Sequence, residues 1–224
     1  MSIIQAVITE SICVISGDSR MTNIKTNEHS GGFNKIIKLN SNIMFGVTGN
    51  PIDSFKLFDG YCFYNTVNGF LNSDNTFDIT YKDFVNIILN RYNEMYKEHI
   101  ANKKQYDIGD IICGFNGSEF EIITISLGSM IGFPDGVMTI HKAKDFPYKA
   151  TIAGLVKHKD NFEILAQKQY FKNKEQLTIR QWKNIMQEVV DVGSKFDDTI
   201  DNNLNFETIR KIEKDGNILF KWLF

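Results

Sequence analysis

Residues 2–20 read Ser-Ile-Ile-Gln-Ala-Val-Ile-Thr-Glu-Ser-Ile-Cys-Val-Ile-Ser-Gly-Asp-Ser-Arg. Two short runs rich in β-branched residues, 3–9 and 12–16, are separated by turn formers and closed by Gly17-Asp18-Ser19-Arg20, which predicts a β-hairpin. A hairpin of that length returns Asp18 to the level of Ser2, sixteen positions earlier. Two further runs, 35–39 and 43–48, have the same length and the same Gly and Asn breakers, so the first 49 residues form a strand-rich unit.

After Gly49 the apolar period lengthens. Ile52, Phe55, Leu57, Phe58 and Tyr61 follow Pro51 at three- and four-residue steps, predicting a helix over 51–71. A second helix begins behind Thr80, whose hydroxyl and the Asp83 carboxylate stand at capping-box-like spacing before Phe84, Ile88, Tyr92 and Met95. Runs 108–115 and 120–126 flank Asn116-Gly117 and predict a second hairpin. Helical spacing returns over 161–171 and 178–192, and strands 205–212 and 217–222 close around Asp215-Gly216. Strands, two helices, strands, two helices, strands is the order expected of an α+β fold. Each paired set of amphipathic helices needs an apolar sheet face, so the expected architecture is a four-layer αββα sandwich of two antiparallel sheets flanked by helix pairs. A doubly wound parallel sheet would alternate single strands with single helices, and the chain carries neither GxGxxG nor GxxxxGK[ST].

Composition narrows the functional classes. Among 224 residues, 25 Lys and Arg oppose 27 Asp and Glu, for a net charge of -2, so the basic surplus of a nucleic-acid binder is missing. The 3 prolines and the lack of any Ser/Gly-rich block reveal no linker, and one domain over 1–224 is expected. Cys13, Cys62 and Cys113 are odd in number and show no CxxC spacing, which suits a reduced, cytoplasmic protein without structural zinc. His29, His99, His141 and His158 never pair at ligand spacing, so neither a metal nor another cofactor is expected. No run approaches a membrane span and no signal-peptide plan opens the chain.

The chemistry is sought at the N-terminus. Ser2 is a small residue of the kind behind which an initiator methionine is removed, and removal of Met1 would give Ser2 a hydroxyl and a free α-amine together. An α-amine with a pKa of about 7.7–8.0 is partly neutral near pH 7 and can take the hydroxyl proton without a histidine. Lys35 opens the third run in Asn34-Lys35-Ile36-Ile37, where its ammonium could pair with Asp18 and acidify neighbouring groups. Gly49, in Gly46-Val47-Thr48-Gly49, offers a backbone amide that can approach an oxyanion with no Cβ in the way.

Taken together, Ser2, Gly17-Asp18-Ser19-Arg20, Asn34-Lys35-Ile36-Ile37 and the stretch from Phe45 to Phe55 resemble proteasome β-type subunits and the related bacterial proteasome-like peptidase. These are N-terminal nucleophile hydrolases. The similarity is good over roughly residues 2–60, rests on element order to about 126, and is loose beyond. It implies a peptidase in which Ser2 is the nucleophile, Asp18 and Lys35 its partners, and Gly49 N–H the oxyanion donor. Arg20 would support the loop, with Asp198 as a second supporting carboxylate in preference to Asp201. Met21, Phe33, Val47 and Phe55 would line the pocket for an apolar residue before the cleaved bond. The resemblance further implies a homo-oligomeric ring of six or seven subunits, in some relatives stacked, that takes peptide or unfolded protein from an ATP-dependent unfoldase. The chain departs from the family pattern in a loop between Asp18 and Lys35 one residue longer than usual. It also carries Ala153-Gly154-Leu155 where the family places Gly-Ser-Gly, with Ser129 a competing hydroxyl. Two other readings stand beside the peptidase: a catalytically inactive relative that builds a ring or binds a partner, and a monomeric small-ligand module.

Overall fold

The computed structural model describes residues 2–23, 26, 28–61, 63–65, 70–72, 77–128, 137–142, 148–153, 164–165, 167–169, 172, 177–215 and 217–222. They form a mixed α+β structure built on two five-stranded antiparallel sheets. The first sheet contains β1 (Ser2–Ile8), β2 (Ile12–Asp18), β12 (Tyr148–Ala153), β13 (Leu204–Lys214) and β14 (Asn217–Trp222), in the order β12-β1-β2-β13-β14. The second contains β5 (Ile36–Asn40), β6 (Ile43–Gly46), β9 (Ile108–Phe115), β10 (Phe120–Leu127) and β11 (Val137–Lys142), in the order β11-β10-β9-β6-β5. Small hairpins are made by β3 (Met21–Thr22) with β4 (His29–Ser30), and by β7 (Phe63–Asn65) with β8 (Phe70–Asn72). The helices are α1 (Pro51–Leu57), α2 (Tyr81–Ile100) and α3 (Ile179–Phe196).

The opening hairpin forms as its sequence predicts, with Ile4 opposite Gly17 and Ile8 opposite Cys13. Thr9 makes the turn, its Oγ1 accepting the Ser11 and Ile12 N–H groups. Side chains alternate in β1 and β2, yet every residue of both strands is buried, because each face meets an apolar partner. Ile3, Val7, Ile12 and Val14 pack with Trp182, Met186 and Val189 of α3. Ile4, Ala6, Ile8, Cys13 and Ile15 pack against Met44, Ile111, Cys113 and Ile122 of the other sheet. On the far face of that second sheet, Phe45, Ile112 and Ile125 join Leu57, Phe58, Phe84 and Ile88 of the α1 and α2 region, with Phe45 and Phe58 stacked at 4.1 Å between ring centroids. Gly46 lets the two sheets approach closely, since a Cβ there would lie 2.6 Å from Ile4 Cγ2 of the first sheet, and Gly17 makes room within the hairpin, where a Cβ would lie 2.5 Å from Ile4 Cδ1.

Thr80 caps α2 by accepting the Asp83 N–H at 3.1 Å, and Thr178 caps α3 in a reciprocal capping box with Gln181. The helix expected over 51–71 is much shorter. It stops at Leu57, where Phe58 N–H returns to Ser54 O, and Gly60 turns the chain away with φ +82°. Residues 63–65 and 70–72 then pair as strands. Of the helix expected over 161–171, residues 164, 165 and 167–169 are helical and the others lie outside the described residues. Strands β11 and β12 fall in a stretch with no regular element expected. No helix among the described residues is long and apolar enough to cross a membrane.

Candidate active site

Three of the sequence-predicted residues meet at one end of the hairpin. Ser2 begins β1, in register with Ala153, and Asp18 ends β2. Lys35 directly precedes β5, and its carbonyl accepts the Val47 N–H at 3.1 Å. The Lys35 ammonium donates to Ser2 Oγ at 2.8 Å and to both carboxylate oxygens of Asp18, each at 2.8 Å. Ile3 N–H donates to Asp18 Oδ1 at 2.8 Å, and Arg20 N–H to Oδ2 at 3.1 Å. The ammonium is thus shared between a hydroxyl and a carboxylate that is itself fixed from both sides of the hairpin.

Burial decides the electrostatics. Asp18 is fully buried and Lys35 only 8% exposed. Desolvation pushes the Asp18 carboxyl above its ordinary range, opposed by the Lys35 charge and by the bonds from Lys35, Ile3 and Arg20. It lowers the Lys35 ammonium, opposed mainly by Asp18 and less by Asp201. An ammonium held this way is a readier proton donor than a surface lysine, aimed at a hydroxyl oxygen.

The longer loop between Asp18 and Lys35 does not displace the ammonium. It folds into the β3–β4 hairpin, with Met21 opposite Ser30, and returns through Gly32 at φ +80°. Phe33 N–H donates to Ser19 O at 2.9 Å, and Asn205 Nδ2 donates to Phe33 O at 2.6 Å.

Of the two carboxylates considered for support, Asp201 is the one that engages. Its Oδ1 accepts Ser19 N–H at 2.9 Å and its Oδ2 accepts Ser19 Oγ–H at 2.7 Å, fastening the loop beside Asp18 to the segment entering β13. The Asp198 side chain is exposed, and that residue contributes its carbonyl oxygen to the Arg20 guanidinium. The carboxylate that reaches the loop beside Asp18 is thus that of Asp201, and the Asp198 side chain makes neither bond to Ser19. Val47, 6% exposed, and Phe55 belong to the cluster under α1 and α2, while Met21 and Phe33 are half-buried on the loop. Gly154, Leu155 and Ser129 lie outside the described residues.

Gly49 sits in the β6–α1 turn with φ +80°. The turn meets β9 as an isolated antiparallel bridge between Gly49 and Ile108, in which Asn50 N–H donates to Asp107 O at 2.8 Å and Gly109 N–H to Thr48 O at 3.4 Å. With the flanking residues making those bonds, the Gly49 N–H points away from β9. A Cβ at this position would lie 2.5 Å from Asp107 O.

Sequence reasoning missed Asp53, Asp107 and Asp110, which surround this turn. Asp110, a lone carboxyl in the apolar run of β9, is fully buried. Among the described residues no three acidic, histidine or cysteine side chains are placed to hold a metal ion. A cavity of about 330 Å³ lies elsewhere, between the start of α2 and the β9–β10 turn, lined by Tyr81, Lys82, Asn86, Asn116 and Glu121; it contains none of the residues above. Compared with models of known protein families and with curated proteins, the chain finds no match in either.

Proposed function

We propose that the chain is an N-terminal serine peptidase of the proteasome type. The observation that carries this reading is the Lys35 ammonium bonded at once to Ser2 Oγ and to Asp18. Two antiparallel sheets packed face to face, with α3 outside one and α1 and α2 outside the other, support the four-layer αββα arrangement of N-terminal nucleophile hydrolases.

In the proposed reaction, removal of Met1 frees the Ser2 amine. Ser2 Oγ attacks the peptide carbonyl carbon while its proton passes to that amine, and the Lys35 ammonium stabilises the developing negative charge on Oγ. The Gly49 N–H donates to the tetrahedral oxyanion. Collapse breaks the C–N bond, the Ser2 ammonium returns its proton to the leaving amine, and water then hydrolyses the acyl-enzyme by the same steps. Asp18 keeps the ammonium in place, and the Ser19–Asp201 bonds hold the loop behind it. Assembly into a ring of six or seven subunits and supply by an unfoldase follow from the resemblance alone.

Intact mass and peptide-amide cleavage test the reading together. The expected result is loss of the Met1 mass in active protein and loss of cleavage in Ser2→Ala. A chain that keeps Met1 and cleaves no peptide would instead be an inactive relative with a scaffolding or binding role.

A further inference from the structure

Asp110 lies within β9, fully buried, and faces the segment that carries Gly49. Its Oδ1 accepts the Thr48 N–H at 3.1 Å and the Ser54 Oγ–H at 3.0 Å. Its Oδ2 is also buried and has no hydrogen-bond partner. One carboxyl oxygen therefore joins the residue before Gly49 to the second turn of α1, and the other does nothing for the fold that a methyl group could not do.

We propose that Asp110 is a positioning residue for Gly49, acting through the two hydrogen bonds its carboxyl accepts from the β6–α1 segment. Its chemical meaning rests on the peptidase reading above, whereas the clamp itself rests on geometry. Thr48 is held twice against β9, by its N–H to Asp110 and by its Oγ1–H to the Gly109 carbonyl. Asn50 is held by the Asp107 carbonyl. Between these anchors the Gly49 peptide has one orientation, with its N–H directed away from the strand.

The carboxyl performs this role in its neutral form. No cation bonds to it among the described residues, and the ionisable groups around it are the carboxyls of Asp107, before β9, and Asp53, on α1. Lys56 bonds to Asp53 at 3.3 Å and not to Asp110. Burial above all, then Asp107 and Asp53, push Asp110 well above the usual carboxyl range, against the pull of Ser54 and Thr48. A charged clamp would set a second fixed negative charge behind an amide meant to receive an oxyanion, and a neutral one avoids that repulsion.

The test compares the parent chain with Asp110→Ala and Asp110→Asn. Cleavage of fluorogenic peptide amides gives kcat and KM between pH 5 and 8, and amide hydrogen exchange is followed over residues 47–54. Asp110→Ala is expected to lower kcat about 100-fold, the scale of a misplaced catalytic donor, with KM changed less than about two-fold. Its Thr48 and Asn50 amides, hydrogen-bonded to Asp110 and to the Asp107 carbonyl in the parent, should exchange at least about ten-fold faster. The Asn side-chain carbonyl accepts the same two bonds, so Asp110→Asn should show kcat at least about ten-fold above Asp110→Ala and a pH profile parallel to the parent's. An alanine variant with parental kcat and exchange would overturn the proposal. So would an asparagine variant as damaged as alanine, which would mean that charge is needed. Should Asp110→Ala fail to fold, the Asp110 carboxyl carbon decides by NMR, and a carboxylate shift at pH 7 refutes the neutral clamp. A parent chain that cleaves no amide removes the peptidase reading alone, and exchange at Thr48 and Asn50 then judges the clamp by itself.

Discussion

Asp18→Asn removes one charge from a buried ion pair while keeping the shape of the side chain. The Lys35 ammonium then faces a neutral amide in a site where it is 8% exposed, and it loses the opposing charge and one of the two hydrogen bonds that counter its desolvation. Breaking a buried pair from one side costs about 3–5 kcal/mol, and full burial of Asp18 places this site in that range. For a chain of this length the cost corresponds to a fall in Tm of roughly 6–20 °C. The sign of the pH dependence follows from Lys35. A lysine with a folded-state pKa below its unfolded value binds fewer protons when folded, so stability rises with pH across that interval. The penalty in Asp18→Asn is complete below the folded pKa and is relieved as pH climbs toward the unfolded value of about 10.4. Urea unfolding at pH 6 and pH 9 should therefore show a smaller deficit at pH 9. Adding Lys35→Met removes the stranded charge, and the double variant should be more stable than Asp18→Asn alone. A single variant that costs less than about 1 kcal/mol, or a double variant less stable than the single one, would refute this account of the pair.

Gly49→Ala forces a Cβ to within 2.5 Å of Asp107 O at φ +80°, so the turn must shift. Cleavage should fall about 100- to 1,000-fold, as when an oxyanion donor is lost, while circular dichroism reports a folded chain. Asp201→Ala leaves the Ser19 N–H and Oγ without their acceptors and should lower stability by about 1–3 kcal/mol in chemical denaturation.

Much of the fold is visible in the residues themselves. The β1–β2 hairpin is legible because run length, the Thr9-Glu10-Ser11 turn and Asp18 at the strand end all agree with one register. The hairpin at Asn116-Gly117 is equally plain, with Gly117 at φ +104°. The 51–71 helix is overextended because Phe58 and Tyr61 continue a helical period past the point where Asp59-Gly60 leaves it. Tertiary pairing of 63–65 with 70–72 then overrides the local pattern. Strand β11 escapes because Thr139 and His141 interrupt its few apolar residues, so that no buried face is marked.

At the site, Ser2, Asp18 and Lys35 stand out by spacing and resemblance. The choice between Asp198 and Asp201 does not, since both lie in one acidic stretch and only the folded chain directs residue 201 toward Ser19. Asp110 is the least legible of all. Its partners, Thr48 and Ser54, are 62 and 56 positions away, and nothing in an apolar run announces a carboxyl that receives bonds from a distant turn.

Ser2 is already paired in the β1 ladder, opposite Ala153. Under the proposed chemistry, an affinity tag joined ahead of it would withhold the free amine and leave the protein permanently mute. Handles for purification belong at the other terminus.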